Sequence, residues 1–278
     1  MATAFDADGR VDLVASRSLA RHLVEHGSNG LVVAGTTGES PTLDDEEKLA
    51  LLDAVIDEVG REATVILGSG SNDTRHSVEL TRAAADHGAD AGLIVTPYYN
   101  RPNEAGLRGH FGAVAEGSPD LPLILYNIPG RVVTNMGPGF LAELAQIPNV
   151  IAVKQANDSE IQEIPGLDLL AGNDTGFLKC LKNGGSGGIL VASHIVGERM
   201  RELYDRFREG DVAGAELIDS GLKPVYEAMA ITVNPIPVKA ALEMAGLCSA
   251  RMRLPMVEAT EEEKSRIRSL LASAGVEL

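Results

Sequence analysis

Val150-Ile151-Ala152-Val153, ending at Lys154, is the stretch that decides how this chain is read. Four apolar residues make a run short enough to be one buried strand. Lys154 then stands where that strand ends, partly withheld from water. A neutral amine in a pocket is what Schiff-base chemistry on a carbonyl compound requires. Taken alone, the segment reads more plainly as a strand followed by a solvated lysine, since most lysines lie on the surface. The sequence on either side reverses that preference.

Short apolar runs recur about every 20 to 33 residues: Gly30–Ala34, Thr64–Leu67, Ala91–Val95, Leu121–Leu125, Val150–Val153, Leu167–Ala171 and Gly188–Val191. Helical patterns fall between them, over Val14–His26, Leu43–Val59, Asp73–His87 and Gly106–Glu116. Thr42 is placed to cap the second of these, with Asp44, Asp45, Glu46 and Glu47 in its first turn. Gly27, Gly60 and Gly88 stand where helix C-caps are expected. This is the rhythm of repeated βα units. Seven runs are clear, and Met1–Ala4 is a candidate eighth that keeps only part of a first strand. Eight units close a barrel and seven do so awkwardly. The expected fold is therefore α/β, a (β/α)8 TIM barrel whose first strand is truncated. Beyond Val191 the pattern is purely helical, over about Gly197–Arg208, Asp211–Ala230, Pro235–Ala245 and Thr260–Ala274. The expected organisation is a barrel over 1–210 carrying the site and a small C-terminal helical appendage over 211–278.

Composition narrows the function. The apolar fraction of 44% in 278 residues supports a substantial core, yet no stretch has the run of apolar residues a membrane span needs. The opening Met1–Asp6 has no basic region and no long apolar stretch, so no signal peptide is expected. Cys180 and Cys248 are too few for a disulfide framework, which makes a reduced, cytoplasmic protein the expectation. A net charge of −16 argues against nucleic acid or an anionic membrane as a partner. An anionic small molecule would have to be drawn in by local positive groups.

Barrel chemistry sits at the C-terminal ends of the strands. Sorted by that rule, Gly35-Thr36-Thr37-Gly38-Glu39-Ser40, Thr96-Pro97-Tyr98-Tyr99-Asn100, Tyr126-Asn127-Ile128-Pro129-Gly130-Arg131, Lys154, Gly172-Asn173-Asp174 and Ala192-Ser193-His194 share one face. Proton-passing hydroxyls, an amine nucleophile and an anion-binding guanidinium form an aldolase-type set. Other motifs sort away from it. His22-Leu23-Val24-Glu25-His26 has the HxxEH spacing of a zinc site, but it lies on an outer helix and no third ligand is evident. Gly68-Ser69-Gly70 lacks the third glycine of a dinucleotide fingerprint. Asn183–Gly188 precedes its strand and lacks the Lys-Ser/Thr ending of a phosphate loop.

The segments GTTGES (35–40), TPYYNRP (96–102), YNIPGR (126–131), VK (153–154), AGND (171–174) and NPIPVKAAL (234–242) carry a family likeness. Together they resemble the class I, pyruvate-dependent aldolase family that includes N-acetylneuraminate lyase, from about Thr3 to the end of the chain. The second tyrosine of TPYYN and the arginine of YNIPGR favour one branch of it. That branch condenses pyruvate with L-aspartate 4-semialdehyde to 4-hydroxy-tetrahydrodipicolinate, in lysine and diaminopimelate biosynthesis. The resemblance implies that Lys154 forms the Schiff base with pyruvate. It implies that Tyr126 shuttles protons, linked through Thr36 to Tyr99, with that tyrosine supplied across a dimer interface. Thr37 would hold the pyruvate carboxylate, Arg131 the carboxylate of the semialdehyde, and Gly172 and Ile189 would line the pocket. No metal or organic cofactor is implied, and a homodimer or homotetramer is.

Read singly, Tyr99 and Tyr126 are more commonly core aromatics, Arg131 a loop ion-pair partner and GTTG a tight turn; their joint placement at successive strand ends favours the functional reading. Family members carry about eight further residues before the Thr3 position, which suggests either a start placed downstream of the natural one or a form of weakened stability. In relatives inhibited by lysine, the effector pocket holds a His and a Glu at positions that are Lys48 and His76 here, although Ser40, Asn72 and Tyr98 match. Weak or absent lysine feedback follows. Competing readings are a sibling aldolase acting on 2-keto-3-deoxy sugar acids, a metal hydrolase built on HxxEH, and a non-catalytic barrel.

Overall fold

Parallel strands need crossovers that return the chain to the same end of the sheet, and helices supply most of them here. The computed structural model describes residues 1–278. The chain divides into two compact units, Met1–Thr64 with Val191–Leu278, and Val65–Leu190.

The first unit opens with Met1–Ala4, buried but forming no regular strand. The Met1 amine donates to the Val32 carbonyl at 2.5 Å, and the Thr3 hydroxyl donates to the Gly38 carbonyl at 2.7 Å. Helix α1 (Leu13–Glu25) is capped by Asp12, which accepts from the Ala15 N–H, and it buries Leu19, Ala20 and Leu23. Strand β1 is Gly30–Val33, and helix α2 is Asp45–Val59. The cap of α2 is Asp44, not Thr42. Asp44 accepts from the Glu47 N–H while the Glu47 carboxylate accepts from the Asp44 N–H. That reciprocal arrangement satisfies two N–H groups and places negative charge at the positive end of the helix. Thr42 instead closes the 3₁₀ turn Ser40–Thr42, donating to the Glu39 carbonyl at 3.0 Å. Leu51, Leu52 and Val55 of α2 are buried where the helix packs on α1.

The second unit is a parallel array. Its elements are β2 (Thr64–Gly68), α3 (Thr74–Asp86), β3 (Ala91–Val95), α4 (Glu104–Gly117), β4 (Leu123–Asn127), α5 (Pro129–Val132), α6 (Pro138–Leu144), β5 (Val150–Gln155), β6 (Asp168–Ala171), α7 (Phe177–Lys182) and β7 (Gly187–Gly188). Each strand from β2 to β7 pairs in parallel with its neighbour in the chain. Strand β4 lies two residues later than the apolar run Leu121–Leu125, and β5 runs on through Gln155. The ladder explains both shifts, because Tyr126 pairs with Lys154 and Asn127 with Gln155 beyond the point where hydrophobicity stops. Gly70, from the rejected dinucleotide motif, has a packing role: a Cβ there would lie 2.4 Å from the Val95 nitrogen. Between β5 and β6 the chain has no helix longer than a 3₁₀ turn, Asp158–Glu160, followed by an antiparallel bridge between Ile164 and Leu167.

The remainder returns to the first unit as α8 (Ser193–Arg208), α9 (Val212–Met229), α10 (Ile236–Met244) and α11 (Glu261–Ser273). Helix α8 starts four residues before the expected Gly197 and is kinked at Val196, whose φ of −128° is not helical, so the expected start marks its regular part. Thr260 and Glu263 cap α11 reciprocally. Helix α9 packs against α8 and α11, and α10 is buried over Pro237–Leu242. The helix ends are close to expectation: Gly60 caps α2, while Gly27 and Gly88 follow the caps His26 and His87 with φ of 106° and 84°.

Candidate active site

Neighbouring parallel strands present their last residues side by side, and alternate residues face opposite ways. Tyr126 and Lys154, paired across β4 and β5, share one face. Lys154 is 9% exposed and Tyr126 4%. The Lys154 Nζ lies 4.2 Å from the centre of the Tyr126 ring, so an aromatic face shields the amine from water. The Tyr126 carbonyl accepts from the Thr96 N–H at 3.0 Å and the Thr96 hydroxyl at 2.9 Å, which fixes β4 against the end of β3. Lys154 thus belongs to the strand itself, not to a loop after it.

Beyond Lys154 the ladder continues: Gly172 donates to the Gln155 carbonyl at 2.7 Å, and Ile189 to the Ala171 carbonyl at 2.9 Å. A Cβ on Gly172 would sit 2.8 Å from the Ala156 Cβ, so only glycine lets the end of β6 approach so closely. Tyr99 and Arg131 stand apart from this buried pair. Tyr99 is 92% exposed and holds a φ of 69°, an uncommon conformation of the kind that gathers at functional sites. Arg131 lies exposed in the short helix α5, within the loop that leaves β4.

The opposite face of the same two strand ends carries Asn127 and Gln155, both fully buried. The Asn127 amide donates to Gln155 Oε1 and to Asn135 Oδ1, each at 3.0 Å. Its Oδ1 accepts from the Met136 N–H at 3.0 Å, and Gln155 Oε1 also accepts from the Asn157 N–H at 2.9 Å.

In the first unit, Thr36 and Thr37 occupy a loop closed by Gly38 N–H to the Gly35 carbonyl (3.1 Å) and Glu39 N–H to the Thr36 carbonyl (3.2 Å). The Asn234 amide donates to Thr37 Oγ1 at 3.0 Å, leaving the hydroxyl proton to be given to an anion. Beneath the loop, Glu39 holds a left-handed φ of 57° and pairs with Lys239 at 2.7 Å, the two side chains 1% and 0% exposed. Lys239 also donates to the Arg251 carbonyl, and its amine lies 4.5 Å from the Phe5 ring centre. Burial holds the Lys239 amine below the usual lysine range despite Glu39.

Other reactive groups are tied up structurally. His194 Nε2 accepts from the Ala2 N–H at 3.1 Å and Nδ1 lies 2.8 Å from the Val191 carbonyl, which sets the neutral tautomer with its proton on Nδ1. Burial, with the Met1 amine as a lesser cause, pushes its pKa down to about 3. Burial raises the Cys180 and Cys248 thiols to about 11, which leaves neither as a nucleophile. His22 and His26 stack at 4.0 Å, and no group of three His, Cys, Asp or Glu side chains is placed to hold a metal ion.

The family model of the Dihydrodipicolinate synthetase family matches residues 1–274. The chain belongs to this family. A 4-hydroxy-tetrahydrodipicolinate synthase of Desulforudis audaxviator is 47% identical over 281 residues, spanning 99% of this chain and 95% of the relative. The solved dihydrodipicolinate synthase of Cyanidioschyzon merolae with lysine bound superposes with a TM-score of 0.96 at 38% identity, covering 100% of this chain and 97% of that one. The chloride-inhibited dihydrodipicolinate synthase of Acinetobacter baumannii, complexed with pyruvate, gives a TM-score of 0.95 at 34% identity, with the same coverage of 100% and 97%. The fold class is that of these dihydrodipicolinate synthases, the α/β barrel class with C-terminal helices expected from the sequence, with seven regular strands here and Met1–Ala4 irregular. No helix is long and apolar enough to cross a membrane.

Sequence reasoning gave no role to Asn127, Gln155, Asn135, Asn234 or Lys239. A polar residue directly after each of two candidate site residues on adjacent strands was the available signal for the first pair. A lysine within the apolar run of NPIPVKAAL was the signal for Lys239.

Proposed function

We propose that this member of the dihydrodipicolinate synthetase family is the lyase that condenses pyruvate with L-aspartate 4-semialdehyde to 4-hydroxy-tetrahydrodipicolinate, in lysine and diaminopimelate biosynthesis. The observation that carries the chemistry is the buried Lys154 amine held over the Tyr126 ring at the ends of two adjacent parallel strands. Family membership and the pyruvate held by the Acinetobacter synthase support the choice of substrates.

Lys154 Nζ adds to the C2 carbonyl of pyruvate, and loss of water leaves a protonated imine. The imine draws electrons from the adjacent methyl carbon, which releases a proton and becomes the enamine nucleophile. That carbon bonds to the aldehyde carbon of the second substrate, whose oxygen takes up a proton. The amino group of the second substrate then adds to the imine carbon, closes the ring and expels the Lys154 amine. The imine is the electron sink, so no metal or organic cofactor takes part.

Tyr126 carries protons beside the imine, relayed through the Thr36 hydroxyl to Tyr99. The 92% exposure of Tyr99 suits a side chain given to a second copy, so the working form is a dimer or a dimer of dimers. Thr37 donates its hydroxyl proton to the pyruvate carboxylate. Arg131 receives the semialdehyde carboxylate as a planar bidentate match. Gly172 and Ile189 line the pocket, and the enzyme acts in the cytoplasm. Lysine feedback is weak or absent, because Lys48, the counterpart of the effector-pocket histidine, is buried and paired with Asp45 at 3.1 Å.

Product formation from pyruvate with aspartate semialdehyde, set against pyruvate with sugar aldehydes, tests this reading. Preference for the semialdehyde by at least tenfold in kcat/KM, about 1.4 kcal/mol of transition-state discrimination, is expected. Equal or better turnover of sugar aldehydes contradicts it.

A further inference from the structure

Asn127 and Gln155 stand one residue beyond Tyr126 and Lys154 on the same two strands, in register and on the reverse face. The substrate chemistry assigned above does not use them. Both are fully buried, and burying two amides is costly unless the hydrogen bonds do something in return. What they hold is specific. Asn127 clasps the far end of the segment that leaves β4: its Oδ1 takes the Met136 N–H at 3.0 Å, and its Nδ2 gives to Asn135 Oδ1 at 3.0 Å and the Met136 carbonyl at 3.3 Å. Gln155 Oε1 braces Asn127 Nδ2 from behind at 3.0 Å and takes the Asn157 N–H at 2.9 Å. Asn157 in turn donates to Asn135 at 3.3 Å, and Asn135 is anchored on both oxygens of Glu160 at 2.9 and 3.0 Å. The segment so closed, from Ile128 to Met136, contains Arg131 midway between its two ends.

We propose that Asn127 and Gln155 are positioning residues for substrate selection: their amide pair closes the Ile128–Met136 loop and so sets Arg131 for the carboxylate of the aldehyde substrate. The inference rests on the reading of Arg131 as that carboxylate's partner. Tyr126 and Lys154 are held independently, by the β-ladder and on the other face, so pyruvate chemistry does not depend on the clasp. The chemistry also fixes which replacement preserves it. Gln155 Oε1 accepts two hydrogen bonds while its Nε2 has no partner, so a neutral carboxyl group at this position, the form that burial favours, keeps both bonds through its carbonyl oxygen.

The test is steady-state kinetics on Asn135→Ala, Gln155→Met, Gln155→Glu and Arg131→Ala, together with borohydride trapping of the pyruvate adduct on each variant. Asn135 lies at the surface, so Asn135→Ala folds even if Gln155→Met does not. The expected result is a rise of about tenfold in KM for aspartate semialdehyde in Asn135→Ala and Gln155→Met. The pyruvate KM and the trapping rate stay within about twofold of the parent, and Gln155→Glu restores the semialdehyde KM. Combining Asn135→Ala with Arg131→Ala adds little beyond Arg131→Ala, because both remove one interaction. If Arg131→Ala raises the semialdehyde KM while Asn135→Ala and Gln155→Met do not, the positioning role is wrong and the reading of Arg131 stands. If pyruvate trapping falls along with semialdehyde binding, the amides serve general packing and the proposal is overturned. If Arg131→Ala leaves the semialdehyde KM unchanged, the reading of Arg131 fails and takes the proposal with it.

Discussion

Tyr126 and Lys154 are held by a ladder of backbone hydrogen bonds with neutral amides behind them, whereas the Gly35–Ser40 loop is underpinned by buried charge. The first arrangement keeps its geometry without stripping an ion of water. In the second, Glu39 and Lys239 are almost wholly withdrawn from solvent and are tolerable only as a pair. The loop has no ladder to a neighbouring strand, so side chains add to its own backbone turns in fixing Thr36 and Thr37. Arg253 adds to this support, donating its backbone N–H to Glu39 at 3.2 Å and its guanidinium to Glu47 at 2.5 and 2.7 Å. Rigidity at a site can therefore arise from secondary structure or from paired charge, and the two fail differently.

The sharpest break in this comparison is Lys239→Met. It leaves the Glu39 carboxylate buried without its cation and is expected to lower stability by about 3–5 kcal/mol, read from denaturation midpoints. Lys239→Met combined with Glu39→Leu should recover much of that loss; a double variant no more stable than the single one contradicts the pairing argument. On the ladder side, Tyr126→Phe keeps the ring over Lys154 and removes only the hydroxyl. The expectation is a fall in kcat of about a hundredfold with an unchanged melting temperature. Thr37→Val, which removes the hydroxyl donor and also the acceptor of the Asn234 amide, should raise the pyruvate KM by about tenfold and leave kcat nearly intact.

Acid probes the first unit by another route. The His194 pKa is held at about 3, against an ordinary 6.5, so the folded protein takes up fewer protons than the unfolded chain between those values. The stability contributed by neutral His194 is complete above about pH 6.5 and is lost progressively as pH falls toward 3. Unfolding measured at pH 7, 5 and 4 should show that decline, and His194→Gln should flatten part of it, with His110, held at about 4, supplying another part. The smallest expected effect is that of lysine: submillimolar lysine should leave turnover unchanged, and clear inhibition would contradict the argument from Lys48 and His76.

Much of this was legible in the sequence because strands in a parallel array are apolar and punctuated. Ala91–Val95 appears as an apolar run and is β3, and the helical pattern from about Thr260 to Ala274 is α11. What misled was the assumption that a strand stops where its hydrophobicity stops. Tyr126, Asn127, Lys154 and Gln155 are polar residues that end the apolar runs, yet their backbones remain in the ladder. Thr42 was misread for a related reason: a side chain of capping type can serve a turn when a better acceptor, Asp44, follows two residues later. The apolar run around Lys239 marks it as unusual, but its partner Glu39, 200 residues away, is not legible in the sequence.

The central claim is a covalent imine between pyruvate and Lys154. Borohydride reduction of the protein in the presence of pyruvate, followed by peptide mapping, tests it directly. The account predicts one reduced pyruvyl adduct per chain, on the peptide bearing Lys154 and absent from Lys154→Ala. An unmodified Lys154 peptide in active protein, or full turnover by Lys154→Ala, contradicts it.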